Sequence, residues 1–419
     1  MPVVFHTGTG EPAGAEIASL SRQVHAALPD SLRDLEEEPY TNWRDIFDYL
    51  ARRAQRDRIL LVLDEFPELI TASPALPGIL RAFLDQVHGK TELRIILSGS
   101  AIRTMEEMRE YRAPLYGRFD LTLQVHPFRP HEAAMLLPGL EPADRALLFG
   151  IVGGTPLYLS WWNQDASFAE NMLELVGYPG SPLLTEGQLV MATEVGAGEY
   201  TTTVLTAIAS GKTRHNEITD AIGADPSRTL DRLLELRILE RILPVTEQAT
   251  RSRRRIYRIA DNYLAFYLGP LMRFRAEIER GMGKAIIGPL LSTLDGYMGL
   301  VYEEAFRNYL RREANAGRLG DDIVAVGSWW RDDGVSQLDA VVLAQREQTR
   351  VPVLVGESKW AVSVDARRIK TNLIRKAADL TSEVDQLRYA ICARNEVRFA
   401  DPETLAVTAA DIFTTGPGD

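Results

Sequence analysis

The sequence predicts an α/β protein in three parts: a parallel α/β sheet over residues 1–165, a helical region over 166–280, and a small α/β domain over 292–419. Three observations carry this reading. The apolar runs "ILLVL" (59–63) and "LRIILSG" (93–99) have strand length, and "GILRAFLDQVHG" (78–89) between them has helical spacing. That alternation is the signature of a parallel sheet covered on both faces. From about 166 to 260 the pattern changes to short helices, and from 292 an αβ alternation resumes. A length of 419 residues accommodates two or three domains at roughly 150 residues each.

Taken in order, "PVVF" (2–5) reads as a short strand, "GAEIASLSRQVHAAL" (14–28) as a helix, and "LTLQV" (121–125) as a further strand. In the second part, "ITDAIGADPSRTLDRLLELRILERI" (218–242) reads as a helix, a turn at "GADP", and a second helix from Ser227. "LPVTEQATRSRRRIYRI" (243–259) then reads as a hairpin with a basic tip. Helix, turn, helix, hairpin is the outline of a winged helix. "GMGKAIIGPLL" (281–291) reads as a linker. In the last part, "GLVYEEAFRNYLRRE" (299–313) and "DARRIKTNLIRKAADL" (365–380) read as helices. "SQLDAVVLA" (336–344), "VPVLVGESKW" (351–360) and "LRYAICAR" (387–394) read as strands.

Composition narrows the function classes. The chain is 45% hydrophobic and 25% charged, ordinary values for a globular protein. A net charge of −11 opposes bulk attraction to nucleic acid or anionic membrane, although a local basic patch can still bind either. One cysteine, Cys392, can form neither an internal disulfide nor a thiolate zinc cluster, which points to a reducing, cytoplasmic setting. "MPVVFHTGTGEPAG" lacks the basic and apolar regions of a secretory signal. No apolar run reaches the roughly 18 residues of a membrane helix, so no membrane partner is expected. The six histidines show no metal-ligand spacing.

"ILLVLDEFPELI" (59–70) is the first segment with chemistry in it. A parallel strand delivers Asp64 and Glu65 to the sheet edge where ligands bind in open α/β folds. In nucleotide hydrolysis the Asp of such a pair holds Mg²⁺ and the Glu orients the attacking water. The same two acids can also simply end a strand and cap the next segment. "LSGSAIRTM" (97–105) adds Ser98 and Ser100 beside the acidic strand, as phosphate sensors or as turn residues. Arg118 in "GRFDLTLQVHPF" is an arginine finger or a surface charge, and "GGTPLYL" starts a helix with Pro156 near its first turn.

Together these segments resemble the archaeal-type ATPases of the STAND group of P-loop NTPases, relatives of AAA+ proteins. "LVLDEFPELI" matches that family's Walker B strand, "LSGSAIRTMEE" and "APLYGRF" its sensor-1 region and Arg loop, and "GGTPLYL" its Gly-x-Pro motif. The resemblance implies ATP and Mg²⁺ as cofactors, with Asp64, Ser98, Ser100, Arg118 and Pro156 around the nucleotide and Glu65 as its catalytic residue. The winged helix follows in the family's order.

One part is missing. A phosphate loop needs G-x-x-x-x-G-K-[ST], because backbone N–H groups and a Lys must wrap the phosphates. The only G-K-[ST] is "ASGKT" (209–213), where Thr206 stands at the position of the first Gly. "GTGEPAG" (8–14) has no lysine. The resemblance implies that the chain begins at the second strand of the fold, through a start recorded too late or a shortened gene. As written, it is expected to bind ATP poorly or not at all.

A second set of acids lies near the C-terminus. Glu357 and Lys359 stand at i and i+2 of one strand and share a face, and Asp339 lies within the strand before. Asp339 and Glu357 can meet across the hairpin and hold Mg²⁺, which needs few protein ligands, and Glu303 on the preceding helix offers a third carboxylate. With Lys359 beside them, such a site can activate water against a phosphodiester; the alternative is a surface ion-pair cluster. The set resembles the PD-(D/E)xK fold of restriction-endonuclease-like proteins, with Asp339, Glu357 and Lys359 as its catalytic residues, and "GESKW" is close to a segment found at this place in the ATPase family. "RSRRR" places Arg251, Arg253, Arg254 and Arg255 on the hairpin tip, as phosphate contacts or as a solvated tip.

Three functions follow as expectations. The first is a STAND-type ATPase with an incomplete ATP site, a DNA-binding winged helix and a nuclease-like domain. The second is a Mg²⁺-dependent DNA nuclease with a scaffold N-terminus. The third is a non-catalytic DNA-binding regulator. Candidate partners are DNA, a second copy, or another protein.

Overall fold

The computed structural model describes residues 1–29, 34–196, 198, 200–247, 254–331 and 336–414, except the side chains of residues 102, 103 and 194. The chain divides into two compact units, Met1–Val125 and His126–Asp419.

The first unit carries β1 (Val3–Thr7), α1 (Ala13–Ala27), α2 (Trp43–Arg53), β2 (Ile59–Asp64), α3 (Phe66–Ala72), α4 (Leu76–Val87), β3 (Leu93–Leu97) and α5 (Ile102–Glu107). Its strands form a parallel sheet in the order β1-β2-β3. In β2, Ile59, Leu61 and Leu63 are fully buried against α1, α2 and α4. The other face is less covered than a parallel sheet predicts: Val3, Phe5 and Ile96 are 47%, 53% and 49% exposed. "LTLQV" (121–125) also differs from expectation. It forms no strand, and Leu121, Leu123 and Val125 stand 81%, 76% and 84% exposed. Its alternating pattern suits a strand, but no described strand lies beside it to complete a ladder.

The second unit opens with short helices: α6 (Pro130–Ala134), α7 (Pro142–Val152), α8 (Pro156–Ser160), α9 (Phe168–Val176), α10 (Pro182–Val190), α11 (Thr201–Ala209), α12 (His215–Ile222) and α13 (Ser227–Glu235). The antiparallel pair β4 (Leu239–Ile242) and β5 (Ile256–Ile259) follows. The second helix of the expected helical pair therefore ends seven residues early. Arg237 takes a left-handed φ of 56°, which ends the helix, and the Ile238 N–H closes back on the Leu233 carbonyl at 3.0 Å. The chain continues through α14 (Asn262–Leu268) and α15 (Arg275–Glu279) into α16 (Gly283–Asn315). The expected linker at 281–291 is thus the start of a 33-residue helix. Ile286, Ile287 and Leu290 make that stretch adhesive, since all three are buried in the core. Among the described residues, α16 is the one helix long and apolar enough to cross a membrane.

A mixed sheet completes the unit: β6 (Ile323–Trp330), β7 (Gln337–Arg346), β8 (Thr349–Lys359), β9 (Ser363–Asp365), α17 (Ala366–Ala377), β10 (Arg388–Ala393), β11 (Glu396–Arg398), β12 (Thr404–Thr408) and α18 (Ala409–Ile412). Its order is β12-β10-β8-β7-β6, with β9 and β11 paired separately. β8 is antiparallel to β7 and parallel to β10. Tyr302, Phe306 and Leu310 of α16 seal one part of this core and Leu373 and Ala377 of α17 another. Gly356 makes the first contact possible: a Cβ there would meet the Phe306 ring at 2.9 Å and the Ala390 carbonyl at 3.1 Å. Burying a ring of that size is worth roughly 2–3 kcal/mol.

Candidate functional site

The sheet register brings the C-terminal acids together. Ala340 pairs with Gly356, so one step further along the antiparallel ladder Asp339 stands opposite Glu357. Both are only 5% exposed. The two oxygens of Glu357 are held by different lysines, Lys359 Nζ at 2.7 Å and Lys376 Nζ at 2.8 Å. Asp339 accepts the Ser358 N–H at 2.9 Å. Arg307 of α16 donates to the Asp339 backbone carbonyl at 2.6 Å and lies 3.8 Å from Glu303.

The electrostatics reflect crowding of negative charge out of water. Burial, then the nearby Asp339 charge, pushes the Glu303 carboxyl up to about 7. Burial, then Glu357, holds the Asp339 carboxyl above its ordinary range. Burial alone would lower Lys359, but its bond to Glu357 outweighs that and keeps the ammonium firmly charged. Neighbouring Glu304 goes the other way. Burial opposes its ionisation, yet Arg307, Arg258 and Arg311 bring its carboxyl down to about 2.

The expected three-carboxylate metal centre is not assembled. Among the described residues no three His, Cys, Asp or Glu side chains are gathered to hold a metal ion. The reason is visible in the partners: lysines occupy both Glu357 oxygens, and one Asp339 oxygen is committed to backbone. The donor set still fits a hard cation with few protein ligands. The nearby Asp339 charge raises the proton affinity of Glu303, a crowding of negative charge that a cation between the two would relieve. The sequence reading missed Lys376 and Arg307. The basic, amphipathic run "RRIKTNLIRKA" was the available signal for the first; the second needed the packing of α16.

The first unit places its acids beside their expected serines. Ser98 Oγ donates to Asp64 Oδ1 at 2.8 Å, and Ser100 donates to Glu65 through Oγ at 3.1 Å and N–H at 3.3 Å. Glu65 itself sits at a left-handed φ of 46°. Arg118 is turned elsewhere: it makes a two-pronged ion pair with Asp85, Nε to Oδ1 at 2.6 Å and Nη2 to Oδ2 at 3.3 Å, instead of facing the acids. Pro156 opens α8 in the second unit, so it shares no compact unit with Asp64. Lys212 occupies the turn between α11 and α12, as expected of a loop lysine. A buried acid that the sequence did not reveal, Glu16, organises the "GTGEP" loop by accepting from the Thr9 N–H at 2.8 Å and Oγ1 at 2.9 Å, and it bonds His6 at 3.1 Å.

Of the basic tip, Arg251 and Arg253 lie outside the described residues. Arg254 is half-buried, paired with Glu247 and donating to the Trp330 carbonyl at 2.9 Å. Arg255 is exposed.

Comparison with known proteins places these features in context. The DUF234 family, described as "Archaea bacterial proteins of unknown function", matches residues 267–369, a stretch containing Glu303, Asp339, Glu357 and Lys359. An uncharacterized protein of Methanocaldococcus jannaschii is 26% identical over 359 residues, covering 84% of this chain and 78% of its own length. Among solved structures, the Walker-type ATPase of Pyrococcus abyssi matches 64% of this chain and 84% of its own at 19% identity and a TM-score of 0.47. The ORC2 protein of Aeropyrum pernix matches 69% and 79% at 14% identity and a TM-score of 0.39.

Proposed function

We propose that the C-terminal sheet is a Mg²⁺-dependent phosphodiesterase site acting on DNA, of the PD-(D/E)xK kind. The observation that carries this is the buried meeting of Asp339 and Glu357 on paired strands, with Lys359 bonded to Glu357. Asp339 with Glu303 would hold the cation. Bound there, Mg²⁺ would lower the pKa of an attacking water and offset charge on the phosphodiester. Lys376 also holds Glu357 from α17, so Glu357 would keep a cationic partner if Lys359 turned toward a phosphate. Glu303, with its carboxyl near neutrality, is suited to take a proton from water or return one to a leaving oxygen. The test is cleavage of plasmid DNA with Mg²⁺ by the parent, Asp339→Ala and Lys359→Met. Loss of nicking in both variants supports the reading; equal nicking in all three refutes it.

A second reading concerns the first unit. We propose that Asp64 and Glu65 are acids of a nucleotide-hydrolysis site whose phosphate loop is not among the described residues. The paired bonds Ser98–Asp64 and Ser100–Glu65 favour it, because they hold a metal-binding Asp and a water-orienting acid side by side at the sheet edge. Equilibrium dialysis with labelled ATP and Mg²⁺ decides it: binding lost in Asp64→Ala supports the reading, and its persistence there counts against it. The segment from α11 to β5 is proposed as a DNA-contacting winged helix, with Arg255 as its exposed tip charge. A salt-dependent gel shift weakened in Arg255→Ala would support that.

A further inference from the structure

The second unit contains a cavity of about 330 Å³ that includes none of the proposed acidic residues. That is the lower end of the size range of small-molecule sites. Its walls come from the α11–α12 turn, β5, α14 and the Thr293–Val301 face of α16. Apolar groups line the interior, including Ile208, Ile259, Ala265 and Val301, and two arginines, Arg258 and Arg273, are among the lining residues.

The walls are preformed. The Tyr257 N–H donates to the Thr213 carbonyl at 2.8 Å, tying the turn to β5. Tyr297 Oη lies 2.8 Å from both the Gly150 and Asn262 carbonyls and shares its one proton between them, which fixes its ring as a wall. Gly211 lets the turn follow its path at φ +92°. The two arginines differ. Arg258 is saturated by Glu240 at 2.6 Å and Glu304 at 3.2 Å. Arg273 is exposed and makes no ion pair with a described residue. Leu300, 57% exposed, forms an apolar rim.

An apolar chamber with one uncommitted guanidinium is complementary to a flat apolar molecule carrying a single anionic group. We propose that this cavity is a binding site for a small aromatic carboxylate or organophosphate, anchored by Arg273.

The test uses full-length protein, with 2-naphthoate as probe and neutral naphthalene-2-carboxamide as control, followed by calorimetry and saturation-transfer NMR. 1-Naphthyl phosphate in parallel distinguishes carboxylate from phosphate preference. The expected result is saturable binding of at least one anion at one site per chain, preferred over the carboxamide. Arg273→Gln weakens it about tenfold or more and removes the preference. Ala265→Phe, which fills the chamber, abolishes it. Should that variant fail to fold, Leu300→Trp on the rim serves the same purpose. Absence of saturable anion binding by the parent overturns the proposal, as does binding that Arg273→Gln and the filling variant leave unchanged.

Discussion

The acids at the end of β2 and the acids at the start of β7 and the end of β8 are built from the same elements, a strand terminus carrying carboxylates, but they are held differently. Asp64 and Glu65 are half-exposed and answered by neutral serine hydroxyls. Asp339 and Glu357 are buried and answered by lysines, a backbone N–H and an arginine-braced helix. A hydroxyl can position a carboxylate without changing much else. Burial beside like charge changes the carboxyl's proton affinity, and it does so for Glu303 and Asp339. The second arrangement costs folding stability, so its presence points to a use for the charge.

That contrast can be broken by removing one partner from each site. Lys376→Met leaves one buried Glu357 oxygen without its partner while Lys359 holds the other, which should destabilise the second unit by about 1–3 kcal/mol in chemical denaturation. A loss under about 1 kcal/mol would mean that Glu357 is better solvated than its burial implies.

The pH dependence sharpens the same point. Folded, Glu303 keeps its proton to about 7; unfolded, it releases it near 4.5. Between those values the folded state binds more protons, so this group's contribution falls as pH rises through the window. Glu303→Gln should match the parent at the acid end and exceed it by up to about 3 kcal/mol above neutrality. Added Mg²⁺ should narrow that gap by stabilising the parent. Identical melting curves for the two proteins at both ends of the window would contradict the assignment.

Effects in the first unit should be smaller. Ser98→Ala removes one hydrogen bond to Asp64 and should cost roughly 1 kcal/mol. Glu65→Gly relieves a left-handed backbone at about 1 kcal/mol but loses the Ser100 bonds, so urea denaturation should show a net change within about 1 kcal/mol. A cost of several kcal/mol would show that Glu65 anchors the unit.

How much of this was legible in the sequence follows from how local each feature is. β2, β3, α4 and the β7–β8 hairpin were readable because apolar runs and period-two spacing act within a few residues. Asp339 and Glu357 could be paired from those strands alone. The start of α16 was misread because Gly288 and Pro289 look like breakers, while the burial of Ile286, Ile287 and Leu290 overrides them. "LTLQV" shows the reverse: its propensity was right for a strand, but a strand needs a neighbour. Lys376, Arg307 and the Arg118–Asp85 pair depend on how helices dock, which no local spacing encodes.

The most direct measurement is the rate at which the parent, Asp339→Asn and Asp64→Asn cleave a fluorescent double-stranded oligonucleotide with Mg²⁺. The account predicts that cleavage falls about a hundredfold or more in Asp339→Asn, as expected when a group central to the chemistry is removed, and stays at the parental rate in Asp64→Asn. Cleavage that survives in Asp339→Asn, or that disappears with Asp64, would contradict it.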